Sequence, residues 1–479
     1  MLVLCWQVLL QDAAECGVGG AEDARQLYEL LKLSAGLSAC HKVPVPEALR
    51  RQLVGELIER EDALSHEAVA GTAQAAAGAF RGSLFRESEV GPLCAMLARR
   101  AEVLLDQYGA PAADDDVERV EHVATLAAGF GELRVYNSRL LDVVQDTLAP
   151  TVQAVATAPQ QQWGEASRLV SETSLQKLCF AVGRLGPPLP QLHASLAVLS
   201  RATVPHADQI ETLAKVSWWS AVLQGLDAAV GISSSASDEP PLQAALSHRL
   251  LLLAQRQASQ KKSAFRKRAW DQSVSNVLWG LACHENTQAD FQHTFWAAVP
   301  DIPDRSVATS CRLHQCLMAL GAAGRQENLT GREAKLAGRS HNAFLKSARR
   351  TQLQSKAASK SSASLGDDTL QGRVGQLLRR AVGDSAELEY EAVLPSGYTV
   401  DMMVRGSGRP IAVEVDGPSH FLNSSQVPRG ETLMKRRHLR EYELLDLVVV
   451  PYWEWAVLET EPIAARVAYL QARLAEAQC

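Results

Sequence analysis

The fold of the C-terminal part of the chain is decided between Tyr398 and Trp455. The sequence there reads Tyr398-Thr-Val-Asp401, Ile411-Ala-Val-Glu-Val-Asp-Gly-Pro-Ser-His-Phe421, Thr432-Leu-Met-Lys-Arg-Arg437 and Leu447-Val-Val-Val-Pro-Tyr-Trp-Glu-Trp455. Short β-branched runs that are bounded by Gly, Pro or polar residues are typical of buried strands. The sequence therefore predicts strands around Val400, from Ile411 to Val415 and from Leu447 to Val450.

A helix is predicted between the second and third of these strands, from Arg429 to Tyr442. Leu433, Met434 and Leu439 recur there at helical spacing, with basic residues between them. A strand, a turn, a helix and a further strand form a right-handed crossover, which predicts a small mixed sheet. Asp401 and Glu414 then lie near the ends of neighbouring strands. Two carboxylates at such a place either hold a metal ion or need polar partners.

The part of the chain from Met1 to about Gly324 is predicted to be helical, because apolar residues recur at intervals of three and four residues and almost no stretch is typical of a strand. Several helices contain small-residue phrases that permit close helix packing, which predicts an α-solenoid of helical hairpins over residues 1–324 with a flexible loop at about 231–241. The predicted helices are Leu27–Ser38, Pro46–Glu59, Val120–Phe130, Tyr136–Thr147, Leu175–Leu185, Leu189–Leu199, Gln272–Ala282, Gln288–Val299 and Ser306–Leu320.

The sequence contains two basic segments, one inside this array and one after it. The first serves either as a phosphate contact or as a solvated surface, and its cations are Lys261, Lys262, Arg266, Lys267 and Arg268. The second is residues 325–364, predicted to be a partly helical linker that ends in disorder and acts either as an electrostatic arm or as a plain tether. Residues 365–479 then form the small α/β domain.

Composition limits the function classes. The net charge of -6 over 479 residues excludes a uniformly basic RNA-coating protein, so any affinity for nucleic acid must come from local patches. The nine cysteines include no C-x-x-C pair, and Cys311 and Cys316 are too isolated to indicate a zinc site. No run reaches the roughly 20 apolar residues of a membrane span. Neither a signal peptide nor a transit peptide is visible at the N-terminus.

The four motifs between Tyr398 and Trp455 resemble, in order and spacing, those of the RAP domain, a module of RNA-binding proteins in apicomplexans and in organelles of algae and animals. The phrase Ser275-Asn-Val-Leu-Trp-Gly-Leu-Ala282 is similar to one in octotricopeptide-like and FAST-kinase-like helical repeats, which accompany RAP domains. The resemblance implies a restriction-endonuclease-like fold for the C-terminal domain. It also implies an organellar protein, mitochondrial or plastid, that acts in transcript processing, stability, translation or ribosomal RNA maturation.

Metal-dependent nucleases of that fold use two acidic residues and a lysine. Asp401 and Glu414 match the two acids, which would bind Mg²⁺ or Mn²⁺. Asp416 stands at the position where the lysine is expected. Lys435 could restore the charge, and His420 could act as a base or ligand. The alternative is structural: Asp416 bonds the backbone N–H groups of the Gly417-Pro418 turn, and His420 bonds a carboxylate. A binding domain without a cofactor is the favoured interpretation, and a metal-dependent endoribonuclease is the rival.

Candidate contacts to single-stranded RNA lie on the predicted helix and after the last strand. Four cations are the candidates for phosphate contact: Lys435, Arg436, Arg437 and Arg440. Trp453 and Trp455 follow the last strand in a segment predicted to be extended, which would put both rings on one face. There they either stack on RNA bases or close the core. His420 is a further candidate contact. A second alternative is a scaffold whose helical array binds proteins and no RNA.

Overall fold

The computed structural model describes residues 54–81, 87–106, 116–166, 170–186, 189–224, 242–258, 264–284, 288–299, 306–321, 329–361, 369–383, 386–406, 408–422 and 425–478. The chain divides into two compact units, Met1–Trp219 and Ser220–Cys479. The predicted helix Leu27–Ser38, the predicted loop 231–241 and two of the candidate cations, Lys261 and Lys262, lie outside the described residues.

The first unit is helical wherever it is described. Its helices are α1 (His66–Arg81), α2 (Glu87–Asp106), α3 (Asp116–Leu133), α4 (Ser138–Thr157), α5 (Trp163–Ala166), α6 (Glu172–Leu185), α7 (Pro190–Thr203) and α8 (Ile210–Val222). Local sequence sets the ends: Asn137 and Ser171 cap α4 and α6 through their side-chain oxygens, and Gly186 ends α6 at a φ of 57°. The predicted helices of residues 120–147 and 175–199 are confirmed.

Alternate helices stack on one another in this unit. Helix α3 packs between α1 and α6, and α4 packs between α2 and α7. A Cβ at Gly129 would lie 2.8 Å from the Ala70 carbonyl oxygen, and one at Gly131 would lie 2.9 Å from Ala181 Cα. Only glycine permits these contacts, so the small residues bring neighbouring hairpins together, as the repeat prediction requires.

The second unit joins further helices to the sheet. They are α9 (Leu242–Ala258), α10 (Ala264–Cys283), α11 (Gln288–Ala298), α12 (Val307–Ala319) and α13 (Gly331–Ser361). The same alternate packing joins α9 to α11 and α10 to α12, and α13 packs on α12 and on the sheet. The division therefore differs from the predicted boundary at residue 324. Most of the predicted linker 325–364 is one 31-residue helix, in which apolar residues recur at helical spacing: Leu336 and Ala337 are buried, and Phe344 is half-buried against the sheet.

The C-terminal part of this unit is a four-stranded sheet with helices on both faces. In chain order its elements are α14 (Leu370–Val382), β1 (Glu387–Val393), β2 (Thr399–Arg405), β3 (Ile411–Asp416), α15 (Gly430–Glu441), β4 (Asp446–Pro451), α16 (Tyr452–Leu458) and α17 (Ile463–Ala477). The strand order is β1-β2-β3-β4, with β3 and β4 parallel and the other pairs antiparallel. The predicted mixed sheet is confirmed, and β1 is an additional strand.

The period of two along β3 separates the two faces of the sheet. Ile411, Val413 and Val415 belong to the core that α14 and α17 cover. Ala412 belongs to the opposite core, with Leu439 of α15 and, from the helical part, Met318 and Phe344. The described part of the chain contains no helix that is both long and apolar enough to cross a bilayer.

Candidate functional site

Three carboxylates predicted from the sequence come together on the α15 face of the sheet. Ala412, Glu414 and Asp416 are two residues apart along β3, so all three side chains point to that face. Met402 of β2 pairs with Val413 of β3, and the next step of this register brings Asp401 beside Glu414. The prediction that these acids meet at neighbouring strand ends thus follows from strand register alone.

Helix α15 supplies a cation to each of the two acids on β3. Lys435 Nζ lies 2.7 Å from Glu414 Oε2, and the guanidinium of Arg436 forms an ion pair with Asp416. His420 Nδ1 lies 3.3 Å from Asp416 Oδ1. The crossover connection makes this possible, because it places α15 over the strand that precedes it in the chain. The bond between His420 and a carboxylate is the structural alternative considered for this motif.

Burial raises the pKa of two carboxylates in this cluster, Glu414 and Asp401. Glu414 and Asp416 are 3% and 1% exposed. Burial raises the pKa of Glu414 to about 7, although Lys435 favours the charged form. Burial also raises the pKa of Asp401, opposed by a hydrogen bond that Asp401 Oδ2 accepts from the Val415 N–H at 2.7 Å. The site is therefore a buried network in which cations and backbone donors already engage the carboxylates.

This arrangement does not fit a divalent-cation site. A metal ion needs several free oxygen ligands, but Lys435 occupies Glu414 Oε2 and the Val415 N–H occupies Asp401 Oδ2. Among the carboxylate oxygens of Glu414 and Asp401, Glu414 Oε1 is the one that is buried with no hydrogen-bond partner. No group of three or more His, Cys, Asp or Glu side chains in the described ranges is arranged to hold a metal.

The remaining cations of α15 divide into one that is inward and one that is outward. Arg437 donates to the carbonyl oxygens of Ala282 and Cys283 at 2.6 and 3.2 Å, which satisfies the C-terminal end of α10. Arg437 thus anchors α15 to the helical part and is not a free phosphate contact. Arg440 is exposed, and together with Arg436 it lines cavities on both sides of α15.

A polar chain that the sequence analysis missed fixes α15 over the sheet. Tyr398 Oη lies 3.0 Å from His438 Nδ1 and accepts a hydrogen bond from Gln315 Nε2 at 3.2 Å. The Trp279 indole N–H in turn donates to Gln315 Oε1 at 2.9 Å. Burial lowers the pKa of His438 to about 3, so the ring is neutral. No sequence spacing relates these residues, which come from four separate elements of the unit.

The outer side of α15 borders a groove of about 400 Å³ along the edge strand β4. Four of its lining residues carry binding chemistry: Arg436 and Arg440 from α15, Trp453 from α16 and Arg473 from α17. Arg473 also donates to the Val449 carbonyl oxygen at 3.0 Å and forms an ion pair at 3.4 Å with Glu476, an acid in the lining of the same groove. The sequence analysis missed Arg473, since its position depends on where α17 crosses the sheet.

The two tryptophans after β4 do not share a face. The predicted extended segment is wrong, because Tyr452–Leu458 forms the helix α16 and three- to four-residue periodicity replaces alternation. Trp455 is fully buried in the sheet core and is excluded as a base-stacking residue. Trp453 is half-buried, with its ring 4.3 Å from that of Phe421. Of the predicted basic run, Arg266, Lys267 and Arg268 belong to α10, and Arg268 is exposed.

Together these features define a helical-hairpin repeat protein with a small C-terminal α/β domain. Residues 413–472 match the RAP domain, so the chain carries a RAP domain that includes β3, α15, β4, α16 and most of α17. A chloroplastic RAP domain-containing protein of Oryza sativa subsp. japonica is 26% identical over 188 residues. That alignment covers 39% of this chain and 27% of the relative, so the chain spans about a quarter of the relative's length.

Proposed function

We propose that this chain is an RNA-binding factor in organellar RNA metabolism, and that its RAP domain contacts single-stranded RNA through the groove along β4. One observation carries the proposal: a half-buried aromatic ring, Trp453, lies in the same groove as Arg436, Arg440 and Arg473. Stacking on an aromatic ring combined with cationic contacts to phosphates is the general mode of single-strand binding. Unpaired bases are also the form in which RNA sequence is most readily recognised.

The organellar part of the proposal rests on the comparisons. The relative is named as a chloroplastic protein that contains a RAP domain, which favours a plastid over a mitochondrion. Transcript processing, stability, translation and ribosomal RNA maturation are the processes that an RNA-binding factor of this kind would serve. The RNA targets would be identified by crosslinking the protein to RNA in cells and sequencing the recovered RNA.

The groove is tested by RNA-binding measurements on the full chain at low salt, with a short mixed-sequence single-stranded RNA. Trp453→Leu keeps apolar bulk but removes the aromatic ring, and we expect the dissociation constant to rise by about 5- to 150-fold, as the loss of about 1–3 kcal/mol of stacking requires. Arg440→Gln should lower the slope of log affinity against log salt by the amount that corresponds to about one phosphate contact. Arg405→Gln is the matched control, because it removes an exposed cation from the end of β2, which β3 separates from β4 and the groove.

The rival functions give different results with the same protein. Cleavage that depends on Mg²⁺ or Mn²⁺ and is abolished by Glu414→Ala would assign an endoribonuclease and replace the binding-only proposal. No measurable affinity for any RNA at low salt would overturn the proposal in favour of a protein-binding scaffold. Binding that is unaffected by both Trp453→Leu and Arg440→Gln would remove the groove from the RNA interface.

A further inference from the structure

Helix α13 carries a stripe of exposed cations along one face. Successive residues of an α-helix are rotated by about 100°, so positions three and four apart lie on the same face. Six exposed cations of α13 follow that spacing within an arc of about 100°. We call them the basic stripe, and they are Arg332, Lys335, Arg339, Lys346, Arg349 and Arg350. At about 1.5 Å per residue the stripe is about 27 Å long.

The opposite face of α13 is fixed to the sheet. The Phe344 ring lies 5.2 Å from the Tyr398 ring, edge to face, within the core on the α15 side. His341 Nε2 lies 2.8 Å from the Pro395 carbonyl oxygen, and Gln352 Nε2 donates to the Glu391 carbonyl oxygen at 2.7 Å. These contacts run along the β1–β2 hairpin. The stripe is therefore displayed on a helix anchored to the sheet, not on a flexible tether.

Arg332, at the start of the stripe, donates to the Val299 carbonyl oxygen at 3.3 Å and is adjacent to Glu333, but other cations of the stripe have no acidic partner in the part of the chain that the structure describes. Lys335, Lys346 and Arg349 form no ion pair with any acidic side chain in the described ranges. The one acid in the first turn, Glu333, accepts a hydrogen bond from the Thr330 N–H at 2.8 Å and lies on another face of the helix. The whole chain has a net charge of -6, so this local concentration of cations stands out against an acidic background.

We propose that the basic stripe of α13 is a phosphate-binding surface for the RNA backbone. The inference rests on the proposed function and adds a second contact region outside the RAP match at residues 413–472. A row of cations along one face of a helix suits a linear polyanion. A stable protein partner needs a buried apolar centre, and no exposed large apolar residue lies in the described stretch between Arg332 and Arg350, with Leu353 just beyond the stripe. A membrane surface would need an apolar face for insertion, and the opposite face of α13 is packed on the sheet.

The test compares the salt dependence of RNA binding by the full chain and by stripe variants. The variant with Lys335, Arg339, Lys346 and Arg349 all changed to Gln keeps good helix formers at exposed positions and should fold. For single strands each lost contact lowers the slope of log affinity against log salt by about 0.7, so four losses should lower it by about 2.8 between about 50 and 200 mM NaCl. Lys346→Gln with Arg349→Gln should lower it by about 1.4.

The control removes two exposed cations from the last turn of α14, Arg379→Gln with Arg380→Gln, and should leave the slope close to that of the unchanged protein. An unchanged slope in the four-residue stripe variant, in a protein that binds RNA and responds to Trp453→Leu, would overturn the inference and leave the proposed function intact. Loss of binding to vesicles of anionic phospholipid without loss of RNA binding would overturn it in favour of a membrane surface. No RNA binding by the unchanged protein would overturn both.

Discussion

Replacing Glu414 by Gln should change how the stability of the RAP domain depends on pH. The pKa of Glu414 is raised from 4.5 to about 7, chiefly by burial. Because the folded protein holds this proton more tightly than the unfolded chain, the free energy of unfolding falls as the pH rises from 4.5 through 7. At 1.36 kcal/mol per pKa unit, the contribution is about 3 kcal/mol.

The assay is urea-induced unfolding at a series of pH values, for the unchanged protein and for Glu414→Gln. Glutamine keeps an oxygen that can accept a hydrogen bond from Lys435, and it does not titrate. The free energy of unfolding of the variant minus that of the unchanged protein should rise by about 3 kcal/mol between pH 4.5 and pH 8. Glu389→Gln, which removes an exposed carboxylate from β1, gives the baseline for the change of one side chain.

The opposite trend would refute this reasoning. If the difference falls as the pH rises, the pKa of Glu414 lies below its usual value in the folded protein. The ion pair with Lys435, at 2.7 Å, would then outweigh the cost of burial. A flat difference would mean that the two effects cancel. In either case the account of the cluster, in which burial keeps Glu414 partly protonated near neutral pH, would be wrong.

Two further substitutions test how the second unit is held together. Arg437→Gln removes charged donors from two carbonyl oxygens at the end of α10, and we expect the free energy of unfolding to fall by about 2 kcal/mol, measured by urea denaturation. Gly397→Ala should cost about 2 kcal/mol or more, because Gly397 has a φ of 92° and an added Cβ would lie 2.8 Å from Phe344 Cδ1. Gly338→Ala on α13, where an added Cβ meets nothing within 4 Å, is its control and should be neutral or stabilising. A Gly397→Ala protein as stable as this control would refute the docking of α13 on the β1–β2 hairpin.

Local pattern was sufficient to predict the acidic cluster. Three short apolar runs predicted the strands, which put Asp401 and Glu414 near the ends of neighbouring strands, and Lys435 was considered as the cation that restores the charge expected at Asp416. In the structure the period of two puts Glu414 and Asp416 on one face, and the crossover connection places Lys435 and Arg436 over that face. Each step uses a spacing of a few residues or a rule of chirality, which is why the sequence alone carried it.

Contacts between distant segments could not be predicted in the same way. Arg437 was a candidate for phosphate contact, and its role at the Cys283 carbonyl depends on where α10 ends, more than 150 residues earlier in the chain. Trp453 and Trp455 were assigned to one face of an extended segment, with base stacking and core closure both left open, whereas the chain enters α16 at Tyr452 and only Trp455 closes the core. The predicted linker was read from its charge, although Phe344 and the other inward residues of α13 already carried helical spacing.

The internal ion pairs have a consequence for binding a polyanion. Three carboxylates beside a groove would repel phosphates if they were all charged and unpaired. Lys435 and Arg436 offset Glu414 and Asp416, and burial keeps part of the cluster protonated near neutral pH. The field at the groove is then set by Arg440 and by Arg473, whose guanidinium also pairs with Glu476 of the groove lining at 3.4 Å. Because the buried acids are offset internally, they add little negative charge to the proposed RNA contact, and cations outnumber acids along the groove and the basic stripe of an otherwise acidic protein.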